Sequence, residues 1–342
     1  MAMSVYFEKY NLPKLNSGSV IGIISPSCPI THDAPYLSEI AENYLKSKGF
    51  SIIKGSLYGR INSSYRSGTV KDRAEELNEL IHNDEIDCIM AVAGGYVSVS
   101  MLPYIDYEYL KDHPKIIVGH SDVTSLLLAI NKKCGFPTFY GPNLVTSFAH
   151  KDFYRDYSLD CFLKIINHSE ACIIEKPDFY TDEAIDWYTT EEIFNKNLEN
   201  EKFNSNEWIT IVSGVTKGRL IGGNTDNFSL LYGNPYCPKV QNGDILFLEN
   251  VNENADFFER AISSLYIHGV FDKISGLIFG KAKGYNDIGS GKRELDILFE
   301  VIGVPSFPIL VDVDCGHTVP IMTLPIGAEI EMDADKKTIT VI

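Results

Sequence analysis

Short apolar runs alternate with helical patterns along the first half of the chain. Residues 20–25 (VIGIIS) read as a β-strand, and Leu37, Ile40, Ala41, Tyr44 and Leu45 then recur at helical spacing until Gly49. Further strands are predicted at 51–54 (SIIK), 88–93 (CIMAVA), 115–119 (KIIVG) and 137–141 (PTFYG), with helical stretches between several of them. Strands alternating with helices predict a parallel sheet covered on both faces, whose functional groups gather at the carboxyl ends of the strands.

A last helical pattern near 158–168 is followed by an irregular acidic and aromatic stretch, PDFYTDEAIDWYTTEE, which reads as a connection. Beyond it come GRLIGG, DILFLEN, a helix through ADFFERAISSLYIHG, the strand ISGLIFGK, a helix near ELDILFEVIG, the strand FPILVDVD and a hairpin-like C-terminus. Strands outnumber helices there, so a smaller mixed α/β domain is expected. The predicted organisation is residues 1–168, a connecting segment 169–195, and residues 196–342.

Composition narrows the function. The formal charge is −16, from 46 acidic and 30 basic residues, and such a surface repels phosphate backbones and anionic lipid. Neither nucleic acid nor a membrane is expected as a partner. No apolar run approaches the roughly 20 residues of a membrane span, and the N-terminus lacks a basic segment followed by an apolar one, so a cytoplasmic location is expected. The seven cysteines are widely spaced with no CxxC pair, which argues for reduced thiols rather than a disulfide framework or zinc ribbon.

The candidate chemistry lies at strand ends. In KIIVGHSDVTSLLLAI a strand, a tight Gly119-His120-Ser121-Asp122 turn and a helix follow one another, the layout of a nucleophile elbow with Val123 in place of its second glycine. Local sequence leaves Ser121 two roles, nucleophile or helix cap. Gly94 and Gly95 end another strand, where a glycine pair makes a turn or lets backbone N–H groups approach a developing oxyanion. Without GxGxxG a dinucleotide cofactor is not indicated, and no cofactor is expected. Glu249 follows the apolar run of DILFLEN and His317 closes FPILVDVDCGH; the first is a solvated strand end and the second a turn residue, or the two are partners in acid–base chemistry. Asp312, Asp314 and His317 also admit a metal reading, with the two aspartates expected on one strand face, but no HExxH or second His cluster completes such a site.

Together GG-Y-x-S-x-x-x-LPYID, GHSDVT, GRLIGGN, LFLEN and CGHT resemble the LD-carboxypeptidase family of serine peptidases, in that order and from about Val20 to the C-terminus. The resemblance implies an N-terminal flavodoxin-like domain, a smaller C-terminal domain, an active site between them and a homodimer. It places Ser121 on the nucleophile, Glu249 on the acid and His317 on the base, with backbone N–H groups of Gly95 and Asp122 as oxyanion donors. Gly94, Ser100, Trp187 and Asn224 are then the expected substrate-binding residues. Within the family, Ser100 stands where the cell-wall recycling enzymes carry arginine, and Trp187 looks like the nucleobase-stacking tryptophan of the microcin-immunity branch. The implied substrate is a peptidyl nucleotide cut at a C-terminal aspartyl amide; the alternative is a muropeptide losing terminal D-alanine, and a non-catalytic ligand-binding protein is a third reading. Val97, Val99, His120 and Asp226 depart from the immunity pattern.

Overall fold

The computed structural model describes residues 10–61, 65–168, 170–183 and 190–342. Five parallel strands build the first sheet: β1 (Val20–Ile24), β2 (Ser51–Lys54), β3 (Cys88–Ala91), β4 (Ile116–Gly119) and β5 (Thr138–Tyr140). They lie in the order 2-1-3-4-5, the flavodoxin-like arrangement. The central strands are apolar throughout and fully buried, because helices cover both faces.

The connecting helices carry their own end signals. Thr69 and Asp72 form a capping box at the start of helix Val70–His82. Helix Thr124–Cys134 stops where Gly135 turns left-handed, with φ 81°.

The chain then forms β6 (Cys172–Ile174), within the stretch expected to connect the halves, and a small pair of β7 (Phe179–Tyr180) with β8 (Asn204–Ser205). The second sheet is completed by β9 (Ile209–Val212), β10 (Val215–Asn224), β11 (Ile245–Glu249), β12 (Gly276–Gly280), β13 (Ile309–Val313), β15 (Glu329–Asp333) and β16 (Thr338–Val341), while β14 (Leu324–Ile326) lies elsewhere. Its strand order is 6-16-15-10-11-12-13-9, with β10 to β13 parallel and the outer strands antiparallel. Helices follow β11 and β12 as the pattern predicts, and a further short helix, Thr225–Leu231, which the pattern did not predict, follows β10. The strand β14 crosses back and pairs antiparallel with β5, closing the edge of the first sheet. A mixed α/β chain with a flavodoxin-like first sheet is therefore the observed fold.

Candidate functional site

A cavity of about 570 Å³ opens where the carboxyl ends of β1, β3 and β4 meet loops of the second sheet. Its walls include Cys28 after β1, Gly95 and Tyr96 after β3, His120 and Ser121 after β4, and Lys283 and His317 from the second sheet. A site at the carboxyl edge, near the β1/β3 crossover, is where a doubly wound sheet collects ligands.

Ser121 stands in a strained turn. Strand β4 ends at Gly119, His120 is extended, and Ser121 takes φ 65°, a left-handed conformation that costs a non-glycine residue about 1–3 kcal/mol. Helix Thr124–Cys134 follows after one 3₁₀ turn, so the side chain projects at the strand-to-helix corner. Gly94 makes room for it: a Cβ there would lie 2.8 Å from the Ser121 Cβ and 2.9 Å from its Oγ. Among the described residues, neither the Gly95 nor the Asp122 N–H is engaged by another backbone or side-chain acceptor. The Asp122 carboxylate, fully buried, accepts from the N–H groups of Val97 (3.0 Å) and Ser98 (2.8 Å), which fixes the β3 loop against the serine turn.

Glu249, at the end of β11, is fully buried and holds three donors. His317 Nδ1 lies 2.7 Å from Oε2, while the Tyr140 hydroxyl (2.6 Å) and Asn224 Nδ2 (3.0 Å) donate to Oε1. Burial pushes its carboxyl up, but the charge and hydrogen bond of His317, with the hydrogen bonds of Tyr140 and Asn224, outweigh it and hold the group below its ordinary value. An ionised carboxylate only accepts, so Nδ1 of His317 carries the proton and Nε2 is left to take another. The loop of Glu249 and the serine turn are brought together by close backbone approach: Gly223, with φ 146°, has no room for a Cβ beside Thr124, whose hydroxyl accepts from the Asn224 N–H at 3.0 Å.

His120 lies edge-on to His317, ring centroids 5.3 Å apart at 89°. Its Nδ1 donates to the Gly141 carbonyl at 2.9 Å, and its Nε2 accepts from Thr146 at 3.3 Å. Burial, and then the neighbouring His317, push its pKa down to about 3, so it is neutral. Lys283 donates to the backbone carbonyls of His317 (3.2 Å) and Glu183 (3.3 Å), and burial lowers its pKa.

The other expected site residues are placed as follows. Ser100 lies behind the β3 loop, where its hydroxyl donates to the Val97 carbonyl (2.8 Å) and accepts from buried Arg73 (2.9 Å). Asn224 is buried, and its Oδ1 also caps helix Thr225–Leu231 through the Asn227 N–H. Trp187 lies outside the described residues. The metal constellation does not form: Asp314 is occupied by Trp208 Nε1 (2.7 Å), Asn206 Nδ2 (2.8 Å) and Lys281 Nζ (3.0 Å), while His317 turns to Glu249. Among the described residues no group of three or more His, Cys, Asp or Glu side chains is disposed to hold a metal. Sequence reading missed Tyr140, Thr146 and Lys283; the available signal for Tyr140 was a hydroxyl at the end of a buried parallel strand. A serine on a strained turn and an imidazole paired with a buried carboxylate, sharing one cavity, form an arrangement suited to acyl transfer.

Known proteins resemble the whole chain. The model of the LD-carboxypeptidase N-terminal domain matches residues 21–141, and that of the LD-carboxypeptidase C-terminal domain matches residues 217–332. The microcin C7 self-immunity protein MccF of Escherichia coli is 39% identical over 95% of this chain and 93% of its own. A putative carboxypeptidase of Vibrio cholerae is 39% identical over 95% of both chains. The solved structure of MccF with aspartyl sulfamoyl adenosine superposes with a TM-score of 0.90 at 38% identity, covering 96% of this chain and 97% of that one.

Proposed function

The chain belongs to the LD-carboxypeptidase family of serine peptidases, and from that premise we propose that it hydrolyses the amide joining a C-terminal aspartyl residue to a modified nucleotide. The observation that carries the chemistry is the buried Glu249 bound to His317 Nδ1 at 2.7 Å beside a cavity that Ser121 also lines. Support for the substrate class comes from the relative solved with aspartyl sulfamoyl adenosine.

In the proposed reaction His317 takes the Ser121 proton as Oγ attacks the carbonyl carbon. The backbone N–H groups of Gly95 and Asp122 receive the oxyanion, the C–N bond breaks, and His317 returns the proton to the leaving nitrogen. Water then releases the acyl group by the same route, with Glu249 stabilising the charged imidazole. Gly94 keeps the nucleophile's space clear, and Asn224 and Trp187 meet the substrate. The proposed setting is the cytosol, where the seven free thiols stay reduced; cell fractionation that recovered the protein elsewhere would overturn this placement.

The test is a side-by-side assay on an aspartyl-nucleotide amide and a muropeptide tetrapeptide. The nucleotide amide should be cleaved, and Ser121→Ala or His317→Ala should lower turnover by several orders of magnitude with the fold intact, Glu249→Gln costing less. Near wild-type turnover in Ser121→Ala would sink the mechanism; preferential cleavage of the tetrapeptide would move the chain to cell-wall recycling.

A further inference from the structure

We infer that Tyr140 is a positioning residue that keeps Glu249 ionised and ties it to the nucleophile turn, an inference that rests on the acyl-transfer reading. Its hydroxyl donates to Glu249 Oε1 at 2.6 Å and accepts the backbone N–H of Ser121 at 3.0 Å. The direction of both bonds is forced: an N–H cannot accept and an ionised carboxylate cannot donate, so the single phenolic proton points at Glu249.

The ring is fully buried, and its edge meets Phe247, on the same strand as Glu249, with centroids 5.3 Å apart at 67°. Tyr140 ends β5 in the first sheet, whereas Glu249 ends β11 in the second. One hydroxyl thus joins the residue proposed as nucleophile to the residue proposed as acid across the two sheets, and a carboxylate without water around it depends on such donors for its charge. Asn224 donates to the same oxygen at 3.0 Å through its side chain, but it has no bond to Ser121 N–H. Tyr140 therefore does something Asn224 does not: it sets where Ser121 stands relative to the Glu249–His317 pair.

Tyr140→Phe keeps the ring and its Phe247 contact and removes only the hydroxyl. A bond to a charged group corresponds to a loss of roughly tenfold to a hundredfold, expected in kcat with KM changed less than about threefold. Without its donor the Glu249–His317 pair retains its proton to higher pH, so the acid limb of the kcat/KM profile moves up. Fluorotyrosine placed at position 140 is a stronger donor of the same shape and should move that limb down. Adding Tyr140→Phe to Glu249→Gln should cost much less than in the wild type, because the two act through one group.

Unchanged pH profiles in both position-140 variants, or losses that multiply fully in the double variant, would overturn the inference. Ser121→Ala is assayed alongside. If it keeps turnover, the acyl-transfer reading fails; if it is inactive while the position-140 variants leave the profile unmoved, only the role of Tyr140 fails.

Discussion

Replacing His120 by phenylalanine isolates a buried, neutral imidazole beside the proposed base. His120 is 5% exposed, donates to the Gly141 carbonyl and accepts from Thr146, and its pKa is pushed down to about 3 by burial and then by His317. In the unfolded chain the same group titrates near 6.5. As pH falls below about 6.5 the unfolded state binds a proton that the folded state refuses, so stability is lost on acidification until the folded pKa near 3 is reached. Each pH unit in that window corresponds to about 1.4 kcal/mol, and between pH 7 and pH 5 the His120 contribution is about 2 kcal/mol once the gradual onset near 6.5 is counted. Phenylalanine keeps a flat ring against His317 and has nothing to titrate. Its lost hydrogen bonds and extra volume lower stability equally at both pH values, so they cancel in the difference. Urea unfolding of both proteins at pH 7 and pH 5 measures this directly. The wild type should lose about 2 kcal/mol more than His120→Phe on going to pH 5. Equal losses in the two proteins would refute the claim that His120 is held neutral in the folded state.

Two further outcomes bear on substrate and assembly. If Trp187 stacks on a nucleobase, contributing about 1–3 kcal/mol, Trp187→Ala should weaken kcat/KM for nucleotide-linked substrates roughly tenfold to a hundredfold and leave a small peptide amide nearly untouched; equal losses on both would make it a packing residue. We further propose that the protein is a homodimer, so light scattering at micromolar concentration should give twice the 38.3 kDa chain mass, and a monomer mass would refute it.

The five parallel strands of the first sheet were legible because each is a compact apolar run bounded by turn residues, and the turn of Ser121 because strand, Gly119-His120-Ser121 and helix are contiguous. What escaped reading was non-local. Tyr140 and Glu249 are 109 positions apart, and nothing in PTFYG distinguishes a tyrosine that bonds a distant carboxylate from one that fills a core. Alternation predicted Asp312 and Asp314 on one face, but Asp312 takes φ 58° and the pairing of β12 with β13 slips between Ile278 and Gly280, so the period of two fails at that strand's end. The short β14, three residues with a central proline, carries no signal that it belongs to the first sheet; it sits at an edge, where proline is tolerated.

That returning strand has a consequence for synthesis on the ribosome. Everything the first sheet needs is made by Tyr140 except its outer strand, Leu324–Ile326, which begins 184 positions later in the chain. Until then β5 offers a bare row of backbone donors and acceptors, the template on which neighbouring nascent chains pair and aggregate. The segment that covers it comes directly after His317, so the chain gains its last proposed reactive group and loses its last sticky edge within the same few residues of elongation.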